Sequence, residues 1–149
     1  MTRDVLIRLS GLQSMEDDEG VVEVITAGDY FWKNNKHYLI YDEVMEGTDG
    51  TIRNTMKLTP EKLEIKKSGP VSANMVFELD KKTQTHYATP LGEMLVEMTT
   101  SRIGFEEEAD HLKVEVEYSL DINYDHVSDC RIVLDVTSKG CAKLELGEA

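Results

Sequence analysis

Cysteine and basic charge are scarce in this chain of 149 residues, which holds two cysteines and 16 lysines and arginines against 29 aspartates and glutamates. Each shortage excludes something. Two cysteines, Cys130 and Cys141, are too few for the disulfide scaffold of a small secreted protein. Without a Cys-x-x-Cys pair they offer no thiolate metal site, and two reduced thiols are expected. A net charge of −13 removes the clustered Lys and Arg that hold phosphate backbones or anionic lipid, so neither nucleic acid nor membrane is an expected partner. No apolar run approaches the ~20 residues that span a bilayer. The opening MTRDVLIRLSGLQ interrupts its short apolar stretch with charges, unlike a signal peptide, and a cytoplasmic setting is expected. Gly-x-Gly-x-x-Gly, a Walker-type lysine loop and a Gly-x-Ser-x-Gly elbow are missing too. No cofactor is expected, and no acid, base and nucleophile stand together to suggest an enzyme.

What is present is alternation. In LKVEVEYSLDI (112–122), Leu112, Val114, Val116, Tyr118, Leu120 and Ile122 share one face, and Lys113, Glu115, Glu117, Ser119 and Asp121 share the other. In VSANMVFEL (71–79), Val71, Ala73, Met75, Phe77 and Leu79 lie together, with Val76 the one apolar residue opposite. A period of two marks a strand with one wet face; a helix would scatter these residues around its circumference. Weaker versions recur at 5–12, 21–33, 36–45, 51–59, 63–68, 84–89, 93–103 and 130–138. Turn chemistry separates them: EDDEG (16–20), Asn34-Asn35, GTDG (47–50), TPEK (59–62), SGP (68–70), DKKT (80–83), TPLG (89–92), EEEAD (106–110) and NYDHVSD (123–129).

About ten short strands with short connections predict sequential antiparallel neighbours, an up-and-down meander. Such a ribbon buries its apolar face either by folding over as a sandwich or by curling into a barrel. Closure removes the exposed edges and is the expected outcome. No linker, low-complexity tract or internal repeat divides the chain, so residues 1–149 are expected to form one domain.

DYFWKNNKHYLIYDEV (29–44) reads as a hairpin, because Asn34-Asn35 tolerates the left-handed backbone of a primed two-residue turn. Together with LEIKKSG (63–69), TPLGEM (89–94) and VEYSLDI (116–122), the stretch GDYFWKNNKHYLIYDE (28–43) resembles the YwiB-like bacterial family, a domain of unknown function. The resemblance implies an all-β fold: an up-and-down antiparallel β-barrel of eight to ten strands, calycin-like or lipocalin-like. It brings no catalytic residues. True lipocalins carry an early Gly-x-Trp, whereas Gly28 and Trp32 are too far apart, so an extracellular carrier role is not implied.

Several polar residues fall on the apolar phase. Lys67 continues the inward series of Leu63 and Ile65, Asn54 lies between Ile52 and Met56, and Tyr118 lies between Val116 and Leu120. Tyr87, in a short strand, is a further candidate. Polar groups converging in an apolar cup mark a small-ligand site. The plainer reading is that Lys67 snorkels out of the rim while Tyr87 and Tyr118 cap the core.

Other motifs carry less. His37, His86, His111 and His126 show no ligand spacing and are expected in solvent; haem would need one of them on the inner wall. DINYDH (121–126) mimics the start of a calcium loop, but His126 takes the required glycine position and Ile132 the position of the bidentate glutamate, so a turn is expected. The acidic runs at 15–20 and 106–110 read as solvated loops that discourage sheet-to-sheet aggregation. Pro90 and Gly92 read as a sharp corner between strands.

Two functional expectations emerge. In the first, the barrel binds a small, mainly apolar or acidic molecule through Lys67, Asn54, Tyr87 and Tyr118. In the second, the core is filled and an acidic exterior or aromatic rim docks a protein. Phe31 and Trp32 cannot both face inward, so one of them is available to such a rim. The oligomeric state is left open, a homodimer included. An enzyme would require an inward carboxylate or histidine beside Lys67.

Overall fold

The computed structural model describes residues 1–11, 23–44 and 50–139. The expected strand ends at Leu12, Val21 and Met45, the acidic run 15–20, most of the 47–50 turn and Cys141 lie outside those residues. Ten strands succeed one another: β1 (Asp4–Ser10), β2 (Glu23–Lys33), β3 (Lys36–Val44), β4 (Thr51–Thr59), β5 (Lys62–Ser68), β6 (Ala73–Glu78), β7 (Lys82–Thr89), β8 (Gly92–Glu108), β9 (His111–Ile122) and β10 (Asp125–Ser138).

The period of two sets what each strand buries. β9 buries Leu112, Val114, Val116, Tyr118 and Leu120, while Lys113, Glu115, Glu117 and Ser119 remain half-exposed. β6 buries Ala73, Met75 and Phe77, and Leu79 leaves that face at the following turn. These inward residues join Ile7, Leu39, Met56, Leu58, Leu63, Ile65, Met98, Ile132 and Leu134 in one apolar core, with Tyr87 of β7 packed against it.

All neighbouring strands pair antiparallel, in the order β6-β5-β4-β3-β2-β1-β10-β9-β8-β7. The meander closes through its first and last strands, β1 and β10, in register from Val5↔Ser138 to Ser10↔Val133. The remaining seam lies between β6 and β7, which are consecutive in the chain yet form no ladder. One bridge, Ser72↔Ala88, holds the seam with two backbone hydrogen bonds of 2.9 Å. Threonine side chains do the rest. The Thr83 hydroxyl donates to the Val76 carbonyl, and the Asn74 N–H donates to Thr85 Oγ1 at 3.2 Å. The protein is thus an all-β, antiparallel, nearly closed ten-stranded barrel.

Turn residues match the backbone they must adopt. Asn34 and Asn35 have φ of 54° and 60°, the left-handed pair of a primed hairpin turn. Gly69 has φ of 135°, and a Cβ there would lie 2.6 Å from the Thr51 carbonyl oxygen. Two segments read as turns are largely strand instead. β8 runs on through Glu108, leaving Ala109 and Asp110 to turn, and β10 begins at Asp125, leaving Asn123 and Tyr124. The triple glutamate and the Asp/Asn/His mixture have loop composition, but ladder pairing with β9 holds both in the sheet.

Two bulges shift the alternation, between Thr100 and Arg102 in β8 and between His126 and Ser128 in β10. The β8 bulge decides which side chains of that strand's second half face the core. Before it, Val96, Met98 and Thr100 are buried; after it, Ile103 and Phe105 take over as the residues packed on the core, and Glu107 continues in their phase.

Candidate functional site

Antiparallel alternation gives the barrel two ends. The C-terminal ends of β3 and β5 and the N-terminal end of β4 meet at one; the hairpins β2–β3 and β8–β9 meet at the other. Each end carries a buried polar cluster.

The first cluster is built by cross-strand register. Asn54 of β4 pairs with Tyr41 of β3 on one side and Lys67 of β5 on the other, so their side chains share the inner face. Lys67 Nζ donates to Asn54 Oδ1 at 2.9 Å and to Glu43 Oε1 at 3.1 Å, and Asn54 Nδ2 donates to the same Glu43 oxygen at 3.2 Å. The Lys67 side chain is only 8% exposed, whereas Glu43 reaches the rim at 32%. A buried ammonium is tolerable because it is paired and hydrogen-bonded. Beside them, burial raises the pKa of the Tyr41 hydroxyl, with the Glu43 carboxylate adding to the effect.

Of the four residues expected to converge, the structure joins Lys67 and Asn54. Tyr118 is inward but differently engaged: its ring stacks edge-on to Phe77 at 4.8 Å, and it lies in register between Thr100 and Cys130. Burial raises its pKa, and the neighbouring Cys130 side chain raises it further. Tyr87 is half-buried against the core, and His86, in the opposite phase, faces Glu93 outside at 3.1 Å. Glu43 was not among the expected residues. It continues the inward phase of Leu39 and Tyr41, which is the signal that finds it.

The second cluster corrects the expectation that all four histidines lie in solvent. His37 is 3% exposed. Tyr30 Oη lies 2.7 Å from its Nδ1, and Glu107 Oε1 lies 3.3 Å from its Nε2. With the phenol donating to Nδ1, the Nε2–H is left to point at the carboxylate. The rings of Trp32 and Phe105 flank the imidazole at 4.7 and 5.5 Å. His37 is buried because both ring nitrogens are satisfied, one of them by a residue that the β8 bulge turns inward. Burial raises the pKa of Tyr30, and Glu107 adds to it. Trp32 remains 56% exposed over this end, while Phe31, on the outer wall, lies under the Arg3 guanidinium at 5.1 Å.

The two clusters lie about 20 Å apart along β3, six residues at ~3.3 Å each. The Glu43–Asn54–Lys67 set offers an ammonium, an amide and a carboxylate, a charge-balanced group of donors and acceptors without a nucleophile. Asp121 in DINYDH is engaged by His126 at 3.2 Å and by Lys82 at 3.9 Å. Among the described residues no group of three or more His, Cys, Asp or Glu is placed to hold a metal ion, and no helix is long and apolar enough to cross a membrane.

Known proteins share this architecture. A family model described as a domain of unknown function, DUF1934, matches residues 7–134. The uncharacterized beta-barrel protein YwiB of Bacillus subtilis (strain 168) is 30% identical over 131 residues, covering 87% of each chain. The crystal structure of the ywiB protein from Bacillus subtilis superposes with a TM-score of 0.76 at 20% identity, over 91% of this chain and 92% of that one. Ten-stranded, closed through β1 and β10, and matched by the family model across most of its length, the chain belongs to the DUF1934 family of YwiB-like β-barrel proteins.

Proposed function

We propose that the barrel binds a small, mainly apolar molecule carrying an acidic or carbonyl group, recognised at the Lys67 end. One observation carries the reading: an ammonium held inside an apolar lumen by Asn54 and Glu43, with only that carboxylate reaching the rim. Buried ion pairs are weak sources of stability, and apolar residues of similar volume serve a core as well or better. A role in recognition gives such a cluster a reason to exist. A lysine has three protons to donate; two go to Glu43 and Asn54, and the third suits a ligand oxygen. Apolar neighbours at this end, Ile52 and Ala73, suit a hydrocarbon body. A cytoplasmic setting, expected from the sequence, is compatible with this role.

Native mass spectrometry of the protein purified from its own host tests it. A retained adduct is expected, lost in Lys67→Met. An apo mass for the wild type, with no thermal shift across a panel of small carboxylic acids, would sink the proposal. A second reading, an interaction module with a filled core, is favoured by the fully buried Phe77, Leu39, Met56, Met75 and Met98 that occupy the lumen. On that reading the working surface is outside.

A further inference from the structure

The hairpins β7–β8 and β9–β10 stand side by side at the Lys67 end of the barrel. Their sequences share an unusual feature. No lysine or arginine occurs between Thr83 and Ser101 or between Val114 and Cys130, although Glu93, Glu97, Glu115, Glu117, Asp121, Asp125 and Asp129 do. Glu97 is buried against Gln84 and Lys82, and Glu93, Asp125 and Asp129 are exposed around the tips, which are themselves apolar. Leu91 is 96% exposed and Tyr124 75%, with Val127 exposed and Leu95 half-buried beside them. The basic residues of these strands, Lys82, Arg102, Lys113 and Arg131, come before or after the acidic stretches. Arg102, Lys113 and Arg131 pair with Glu115 or Glu117 away from the tips. Lys82 reaches Glu97 at 3.7 Å and Asp121 at 3.9 Å, and the imidazoles of His86 and His126 stand beside Glu93, Asp121 and Asp129.

Tyr124 is also strained. Its φ is 72°, in the left-handed region that a bulky aromatic residue rarely adopts and that glycine fills in most primed hairpin turns. Local folding does not call for a tyrosine at this position. Strain of this kind persists where the surroundings fix it, and they do: the Asn123 N–H donates to the Leu95 carbonyl at 2.8 Å, and the Leu95 N–H donates back to Asn123 Oδ1 at 3.1 Å. The two tips are thereby held in one arrangement, an aromatic and an aliphatic anchor presented without a flexible loop. Rigid anchors of this type lose little entropy on binding.

We propose that these two hairpins form a docking face for a basic segment of a partner protein, which seats apolar side chains on Leu91 and Tyr124 while its lysines or arginines meet Glu93, Asp121, Asp125 and Asp129. Charge decides the choice of occupant. A second copy of this chain would bring −13 of its own, and an anionic lipid surface would be repelled. The inference stands apart from the ligand reading, because Lys67 and Glu43 line the lumen and not the outer hairpins.

The test is fluorescence anisotropy of a labelled amphipathic Lys/Leu peptide with the whole protein at physiological salt, beside a Glu/Leu peptide of the same pattern. The Lys/Leu peptide is expected to bind and the Glu/Leu peptide not. Affinity should fall roughly tenfold or more in the double variant Leu91→Ser, Tyr124→Gly, as loss of central anchors does. Ile25→Ser, which removes an exposed apolar residue from β2, and Lys67→Met should bind like the wild type. Unfolding does not confuse the result, since both tips are exposed and glycine suits the backbone at 124. Equal affinity in the double variant would overturn the proposal in favour of plain charge attraction, and so would failure of the Lys/Leu peptide to bind the wild type. Tyr124-dependent pelleting with phosphatidylcholine vesicles would overturn it in favour of lipid.

Discussion

Lys67 and Asn54 hold each other in place, and the cost of separating them can be measured. Lys67→Met strands the Asn54 carbonyl oxygen inside the barrel, where Asn54 is fully buried, and leaves Glu43 with the Asn54 amide and the water that can reach it at the rim. A loss of about 1–3 kcal/mol is expected, the penalty of an unsatisfied buried polar group. In an Asn54→Leu background the same substitution should cost less, because the stranded oxygen is gone. Urea unfolding of the four proteins decides; equal losses in both backgrounds would mean that Asn54 does not hold the ammonium. At this scale the sequence is readable wherever phase alone suffices. Lys67, Asn54 and Tyr118 sit inside as alternation requires, and Glu43 is available from Leu39 and Tyr41 by the same rule. His37 shares that phase and escapes notice when imidazoles are weighed by ligand spacing instead. Its burial depends on Glu107, and no period predicts that partner, since a bulge lies between Glu107 and the regular part of β8.

Elements are the most legible level. All ten strands fall where alternation puts them, since each must bury one face on a common core. Their ends are less legible: Glu106–Glu108 look like a loop to any composition rule, yet cross-strand bonds to β9 outweigh the charge. The seam between β6 and β7 is not legible at all, because sequential strands are expected to pair. Its thinness has a consequence. Elsewhere the strands pair in continuous ladders, bulged only in β8 and β10, whereas this contact rests on Ser72↔Ala88 and on the hydroxyls of Thr83 and Thr85. Hydrogen exchange should therefore be faster in β6 and β7 than in β9 or β10, in line with sparse backbone pairing. Thr83→Val, which keeps the shape and removes the donor to Val76, should widen that difference and cost about 1 kcal/mol. Uniform protection around the barrel would show that the seam is as firm as the ladders.

For the molecule as a whole, closure turns tyrosines into a base-sensitive part of the core. Burial raises the pKa values of Tyr30, Tyr41 and Tyr118, and the nearby Glu107, Glu43 and Cys130 respectively add to it. An unfolded tyrosine titrates near pH 10. Below about that pH both states keep the phenolic proton, and the stability contributed by the buried, neutral rings is fully present. Above it the unfolded chain sheds phenolic protons that the folded barrel holds to higher pH, so stability falls as pH rises. Tyr41 and Tyr118, the two most deeply buried, can each remove up to ~1.4 kcal/mol per pH unit and together roughly 3, a large part of an ordinary domain stability of about 5–15 kcal/mol within a few units. The expected behaviour is a cooperative alkaline transition, in which phenolate absorbance and loss of β-sheet circular dichroism rise together. Tyr118→Phe should flatten the dependence by about one proton, leaving Tyr30 and Tyr41 to titrate. A smooth phenolate titration near the ordinary tyrosine value, with the sheet signal intact, would mean that these three rings are open to water and that the strands do not close around them.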